Sequence, residues 1–282
     1  MQLGRFHLRV VSDGCFRLDG GAMFGVVPKA LWERAKPADE RNRIAMGTNC
    51  LLVECGRELV LVDTGIGDKH DAKFLDLYGL EEGAMRLPAA IAAAGFELGD
   101  VTHVLLSHLH FDHCGWNTRR DASGSLVPTF PKARYWLSRG EVEHGREPNE
   151  RDRASYFPEN WEPLVATGVA ELFDDEAEVI PGVRAVKAPG HNADLCVVTL
   201  DGGEGARGVF WADLVPTTAH APLPWIMSYD LYPMQTLDNK RRWLPRAAAE
   251  GWLCVFEHDA ETPWGRIVED RPGRFRAEPL AD

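Results

Sequence analysis

The 282-residue chain has no uninterrupted apolar run near the roughly 20 residues that span a bilayer. Its start, MQLGRFHLRVVSDG, lacks a basic segment followed by an apolar stretch and a small-residue cleavage site. A cytoplasmic protein with no membrane partner is the expectation. Cations are scarce as well: 31 Lys and Arg against 43 Asp and Glu give a formal charge of −12. Nucleic-acid binding draws on clustered Lys and Arg that neutralise phosphates, and the short run Lys240-Arg241-Arg242 is too small to supply them, so no nucleic-acid partner is expected. Cys15, Cys50, Cys55, Cys114, Cys196 and Cys254 show no C-x-x-C spacing, which argues against a disulfide framework or a cysteine zinc knuckle and for reduced, mostly buried thiols. There is no G-x-S-x-G nucleophile elbow, no solenoid-type repeat and no low-complexity segment.

What is present is a series of short Val-, Leu- and Ile-rich runs, which predict strands over 6–12, 49–55, 58–65, 103–108, 133–138, 183–190, 195–200, 208–214 and 252–258. Helical patterns fall between them at 71–78, 86–94, 138–145, 159–166 and 234–250, where Pro245 should kink or split the last. A strand-rich half, then helix, then a second strand-rich half with its own helix suggests two sheets packed together with helices outside. The segment 20–47 shows no clean period and mixes apolar residues with charges, Pro and Gly; it reads as a lid-like insertion or an interface arm.

Three of the ten histidines and one aspartate occupy six consecutive positions, His108-Leu109-His110-Phe111-Asp112-His113. His108 and His110 are two apart, so on extended backbone they leave one face. Asp112 and His113 follow where the chain turns and approach from a second direction. Neutral imidazole and carboxylate are good ligands for zinc and similar divalent ions, and two approach directions can serve two ions. Without a cation, packing these groups together would bury polar atoms at about 1–3 kcal/mol each. Further ligands stand just beyond apolar runs: His191 after a Pro-Gly turn, Asp213 and His258. His7, His70, His103 and His144 stand alone and read as packing or surface residues.

Together HLHFDH, PGH, WAD and EHD, preceded by LVDTG at 61–65, resemble the metallo-β-lactamase superfamily of hydrolases, in order and spacing, over nearly the whole chain. The resemblance implies an α+β fold, an αββα sandwich of two mixed sheets with helices outside, forming a single domain over 1–282. It implies that His108, His110 and His191 hold one metal ion, that Asp112, His113 and His258 hold a second, and that Asp213 bridges both. Asp63 then orients a ligand imidazole, fixing its tautomer. The cofactors would be two divalent ions, Zn²⁺ first, with Mn²⁺, Fe²⁺ and Co²⁺ compatible with the ligand types. Such ions activate a water, which implies hydrolysis without a protein nucleophile and gives Asp112 and Asp213 catalytic as well as ligand roles. Cys114, with no base partner outside the cluster, reads as packing.

The segments 19–32 and 212–233 resemble the branch that holds N-acyl homoserine lactone lactonases and enzymes of the methyl-parathion-hydrolase type. The implied activity is the opening of N-acyl homoserine lactones, a small-molecule substrate. Organophosphate or arylester hydrolysis is the alternative reaction, and a non-catalytic metal- or signal-binding member of the fold is the alternative of another class. In that branch a Tyr stands three residues after the bridging Asp, where this chain has Pro216, which leaves Tyr229 and His220 as candidates to polarise the carbonyl. Met23, Phe24, Val26, Val27, Leu31 and Trp32, with Trp225 and Met227, could line an apolar channel for an acyl chain. The same arm could instead form a homodimer contact.

Overall fold

The runs 50–53 and 59–62 are apolar without alternation, the pattern of strands covered on both faces. In the computed structural model, which describes residues 1–81 and 83–280, Leu51, Val53, Val60 and Val62 enter one apolar cluster. Their neighbours Cys50, Leu52, Leu59 and Leu61 enter another on the opposite face. The first half of the chain contributes β1 (Gln2–Leu3), β2 (Phe6–Asp19), β3 (Arg43–Cys55), β4 (Glu58–Val62), β5 (His103–Leu105), β6 (Thr118–Arg120), β7 (Leu126–Pro128), β8 (Arg134–Ser138) and β9 (Ala170–Phe173). The second contributes β10 (Glu176–Ile180), β11 (Val183–Lys187), β12 (Cys196–Gly203), β13 (Ala206–Phe210), β14 (Leu253–Val255), β15 (Trp264–Arg271) and β16 (Arg274–Pro279).

One seven-stranded sheet has the order β1-β2-β3-β4-β5-β8-β9, and the second runs β10 to β16 in sequence; β6 and β7 pair separately. Both sheets are mixed: β4, β5, β8 and β9 are parallel neighbours, as are β13 and β14. Parallel neighbours need long crossovers, and these carry helices. The helices are α1 (Gly20–Phe24), α2 (Lys29–Trp32), α3 (Ala72–Tyr78), α4 (Leu87–Ala93), α5 (Phe111–Cys114), α6 (Arg139–Arg146), α7 (Glu162–Ala166) and α8 (Pro233–Ala249). Leu87 and Ile91 of α4, Val142 of α6 and Leu164 of α7 pack on the outer face of the first sheet. Trp243, Leu244 and Ala247 of α8 join the cluster of the second. The result is the α+β sandwich with helices outside.

Three local expectations change. Pro245 lies inside an unbroken α8; the carbonyl it deprives of a partner belongs to Arg241, an exposed residue, where water can replace the lost bond. The strands β15 and β16 were hidden by Arg and Glu on the open side of a hairpin at the sheet edge. The segment 20–47 packs as a wall tied to the rest of the chain at several points. Lys36 is buried with Nζ 2.7 Å from Asp259 Oδ1. The carbonyl of Met23 accepts from His220 Nε2 at 2.8 Å, and that of Ala22 accepts from Ser228 N at 2.8 Å. Gly20 leaves room for Trp32, since a Cβ there would lie 2.4 Å from Cη2 of the indole.

Candidate metal centre

Asp63 follows β4, the 107–114 stretch follows β5, Asp213 follows β13 and His258 follows β14. Each of these two pairs of strands is parallel, so their carboxyl ends open on one edge, the usual place for a site in such sheets. His191 comes from the turn between β11 and β12. Two residues here adopt the left-handed region without being Gly, Asp63 at φ 55 and Ala212 at φ 45, conformations that cost on the order of 1 kcal/mol each.

The side chains of His108, His110, His191 and Asp213 bring one ligand atom each within 4.8 Å of one another, and Asp112, His113 and His258 form a second such group. Asp213 stands between them: its Oδ2 lies 3.0 Å from His191 Nε2, 3.7 Å from His113 Nε2 and 3.8 Å from His108 Nε2, while Oδ1 lies 3.1 Å from His258 Nε2. All seven are buried. Nε2 of His108, Nε2 of His110 and Oδ1 of Asp213 have no hydrogen-bond partner of acceptable geometry. Unpaired buried acceptors converging from two sides fit divalent cations, which would supply the missing partners.

A second layer aims these rings. His113 Nδ1 donates to Asp63 Oδ2 at 3.0 Å, and Asp63 also accepts from Ser107 N at 2.7 Å and Ser107 Oγ at 2.6 Å. His191 Nδ1 donates to Asp230 Oδ1 at 3.0 Å, and Asp230 is held in turn by Thr236 Oγ1. His258 Nδ1 donates to the carbonyl of Gly47 at 2.8 Å. In each ring the outer nitrogen faces an acceptor, which leaves Nε2 turned toward the cluster and available to a metal. Sequence reasoning missed Asp230 and also Glu257, whose Oε2 is 2.9 Å from His113 Nδ1. Burial, reinforced by Asp63, pushes the Glu257 carboxyl well above the carboxylate range.

Against burial, Glu257 raises His113, and Asp213 raises His191 and His258, above the usual histidine value. Burial, then the neighbouring imidazoles, pulls His108 and His110 well below the usual histidine value, so both rings are neutral and able to ligate. Burial opposes the charge on Asp213, yet His191, His258 and His113 outweigh it and hold the carboxyl well below its ordinary range.

Beside the clusters lies a cavity of about 360 Å³, lined by Leu18, Ala22, Met23, Tyr78, Phe111 and Met227 and by Arg151, Asp152, Ser155, Ser228 and Tyr229, as well as His110, Asp112, His191, Asp213 and His258. Met23 and Tyr229 thus stand where a substrate would lie. Other proposed pocket residues do not line it. Phe24 stacks between Trp32 and His220, with ring centroids 5.3 and 4.6 Å away, and Trp225 meets it edge-on, so these aromatics form core. Val27 packs against the same cluster, while Val26 is 92% and Leu31 51% exposed. His220 also fails as a carbonyl-polarising group. Its Nδ1 meets Thr217 Oγ1 at 2.8 Å, its Nε2 is spent on Met23, and burial pulls it down to about 3.

Glu141 supports the loop from behind, accepting from Leu109 N at 2.8 Å and from the Tyr156 hydroxyl at 3.3 Å. Burial pushes its carboxyl up to about 7, whereas an unfolded Glu titrates near 4.3. Between those values the folded chain holds a proton that the unfolded chain has released, so stability falls as pH rises through the window. At 1.36 kcal/mol per pH unit the fall amounts to about 4 kcal/mol. Glu141→Gln removes this dependence while keeping an acceptor. Urea unfolding at pH 5 and pH 8 should show a smaller fall for the variant, and equal falls would contradict the assignment.

The sequence pattern of the Metallo-beta-lactamase superfamily matches residues 43–258. A probable metallo-hydrolase of Mycobacterium bovis is 30% identical over 210 residues, covering 64% of this chain and 63% of its own length. The chain therefore spans less than two thirds of that curated relative. An N-acyl homoserine lactonase of a Bacillus species is 26% identical over 156 residues, 50% of this chain and 53% of its own. The crystal structure of a probable metal-dependent hydrolase from Staphylococcus aureus superposes with a TM-score of 0.89 at 29% identity, covering 100% of both chains. Fold, ligand clusters and sequence match converge: the chain belongs to the metallo-β-lactamase superfamily.

Proposed function

We propose that the protein is a metal-dependent hydrolase that opens N-acyl homoserine lactones. The observation that carries this reading is the cavity: walls of Leu18, Ala22, Met23, Phe111 and Met227 lead directly to the two ligand groups. Such walls suit an acyl chain, and the ligand groups suit an ester carbonyl. The likeness to the Bacillus lactonase supports the same choice. His108, His110 and His191 on one side and Asp112, His113 and His258 on the other, with Asp213 between, would hold divalent ions, which would make a water nucleophilic at neutral pH and polarise the carbonyl.

Asp112 lines the cavity with 7% of its surface exposed. It takes the proton of the attacking water and returns it to the departing alcohol oxygen of the ring. Tyr229 lines the same cavity, and burial, then Tyr78, raises its phenol above the ordinary value. It therefore stays protonated and can donate to the carbonyl oxygen. The metal-loaded protein is expected to open N-hexanoyl homoserine lactone with release of one proton per ring, faster than it turns over paraoxon or p-nitrophenyl acetate. No opening of any lactone from butanoyl to dodecanoyl would overturn the reading.

A further inference from the structure

The buried face of α8 changes character along its length. Trp243, Leu244 and Ala247 pack with the second sheet. Thr236 and Lys240, four residues apart and so on one face, are polar and equally buried. Thr236 Oγ1 holds Asp230. Lys240 Nζ donates to three backbone carbonyls, those of His220 at 2.7 Å, Pro222 at 2.7 Å and Trp225 at 2.9 Å. An ammonium has three donors, so these bonds use all of them and none goes to a carboxylate. Burying a charge is costly unless each donor is met, and an apolar chain of similar length would avoid that cost. What the charge adds is a grip on the 220–225 loop. The next residues lead into the cavity, where Met227 and Tyr229 stand in its lining. Beyond them Leu231 N and Tyr232 N donate to the carbonyls of His191 and Gly190. The wall residues therefore hang between two anchors. The grip also reaches the opposite arm, because the ring of His220 bonds to the carbonyl of Met23, a third lining residue.

We infer that Lys240 is a positioning residue for the substrate wall: its ammonium fixes how far Met23, Met227 and Tyr229 stand into the cavity, and a side chain without that charge loosens them. Burial pulls the ammonium down to about 7, with Asp230 opposing. Asp230 and His220 are the titratable groups that face it, and burial pulls His220 down to about 3, so that ring stays neutral where Lys240 changes charge. A neutral amine offers two N–H groups and turns a lone pair on the third carbonyl, so the grip weakens as pH rises through about 7. The choice of test substrates rests on the lactonase reading, and the inference names the residue that sets the wall such substrates would meet.

The test has one arm without substrate and one with it. Amide hydrogen exchange over residues 225–232 should quicken about 10-fold in Lys240→Met, and in the wild type between pH 6 and pH 8 after correction for the intrinsic rate, while β3 and β12 stay as they were; tenfold is the low end for loss of a hydrogen bond to a charged group. Exchange that quickens equally throughout the chain, or not at all, overturns the positioning role. If Lys240→Met does not fold, the wild-type pair of pH values decides. In the second arm, the ratio of kcat/KM for N-dodecanoyl over N-butanoyl homoserine lactone, in which the ring chemistry cancels, should fall about 10-fold in Lys240→Met. The fall should come mainly through KM, with bound metal unchanged. General destabilisation would instead lower turnover of both lactones alike, and an unchanged ratio overturns the inference while leaving the lactonase reading standing. A wild-type protein that opens no lactone overturns that reading alone, and the exchange arm then decides on Lys240.

Discussion

On the proposed lactonase reading, Asp213→Ala will hold fewer than two divalent ions and lose on the order of 10³-fold in lactone turnover. The carboxylate lies within 3.0–3.8 Å of imidazole nitrogens from both ligand groups, and it supplies the one negative charge common to them. Without it His191 Nε2 and His110 Nδ1, 3.0 Å apart, and His258 Nε2 and His113 Nε2, 3.1 Å apart, face each other with no anion between. Two ions drawn together would then repel with less compensation. Such ions would contribute several kcal/mol to the transition state, and each 1.36 kcal/mol is tenfold in rate. Metal content measured by atomic emission after gel filtration, alongside proton release from lactone, checks both halves. A variant that retains two ions per chain and wild-type turnover would sink the shared-carboxylate arrangement.

Lys36→Met will destabilise the protein by about 3–5 kcal/mol, the cost of breaking a buried ion pair from one side. The Asp259 side chain has no exposed surface and that of Lys36 only 8%. Burial opposes the charge on Asp259, but Lys36 outweighs it and holds the carboxyl below its usual range. Removing the ammonium leaves Thr218 N and Oγ1, Glu261 N and Thr262 N as donors. They solvate the carboxylate without neutralising it. Urea unfolding monitored by tryptophan fluorescence gives the difference, and a loss under about 1 kcal/mol would mean that this pair contributes no more than a surface one.

The central strands and the gathering of His108, His110, Asp112, His113, His191, Asp213 and His258 are legible in the sequence, for different reasons. Strands buried on both faces write themselves as unbroken apolar runs. The ligand cluster shows because it concentrates rare residues in six positions and repeats one placement, just past a strand, elsewhere. Asp230 and Glu257 carry no such signal. Asp230 lies 39 residues from the His191 it holds, and only the packing of the 226–232 segment against the β11–β12 turn brings them together. Arg151 and Asp152 sit in a polar loop that looks like any solvated stretch until the cavity beside it is seen. The error over Phe24, Trp32 and Trp225 is also physical. A pocket wall and a core are built from the same apolar residues, and composition does not say which side of a helix meets a void.

The clamp between the 20–47 segment and the end of β14 has a thermodynamic consequence. Gly47 N donates to the carbonyl of His258 at 3.0 Å, the His258 ring returns a bond to the carbonyl of Gly47, and Lys36 grips the next residue, Asp259. Wall and ligand therefore share one set of bonds, and whatever orders one orders the other. Because coupling free energies are reciprocal, a ligand that tightens its hold on the wall strengthens cation affinity by the same factor with which the cation strengthens that ligand's own. On the lactonase reading, substrate and metal would act on each other through the end of β14, where His258 lines the cavity and bonds to Gly47.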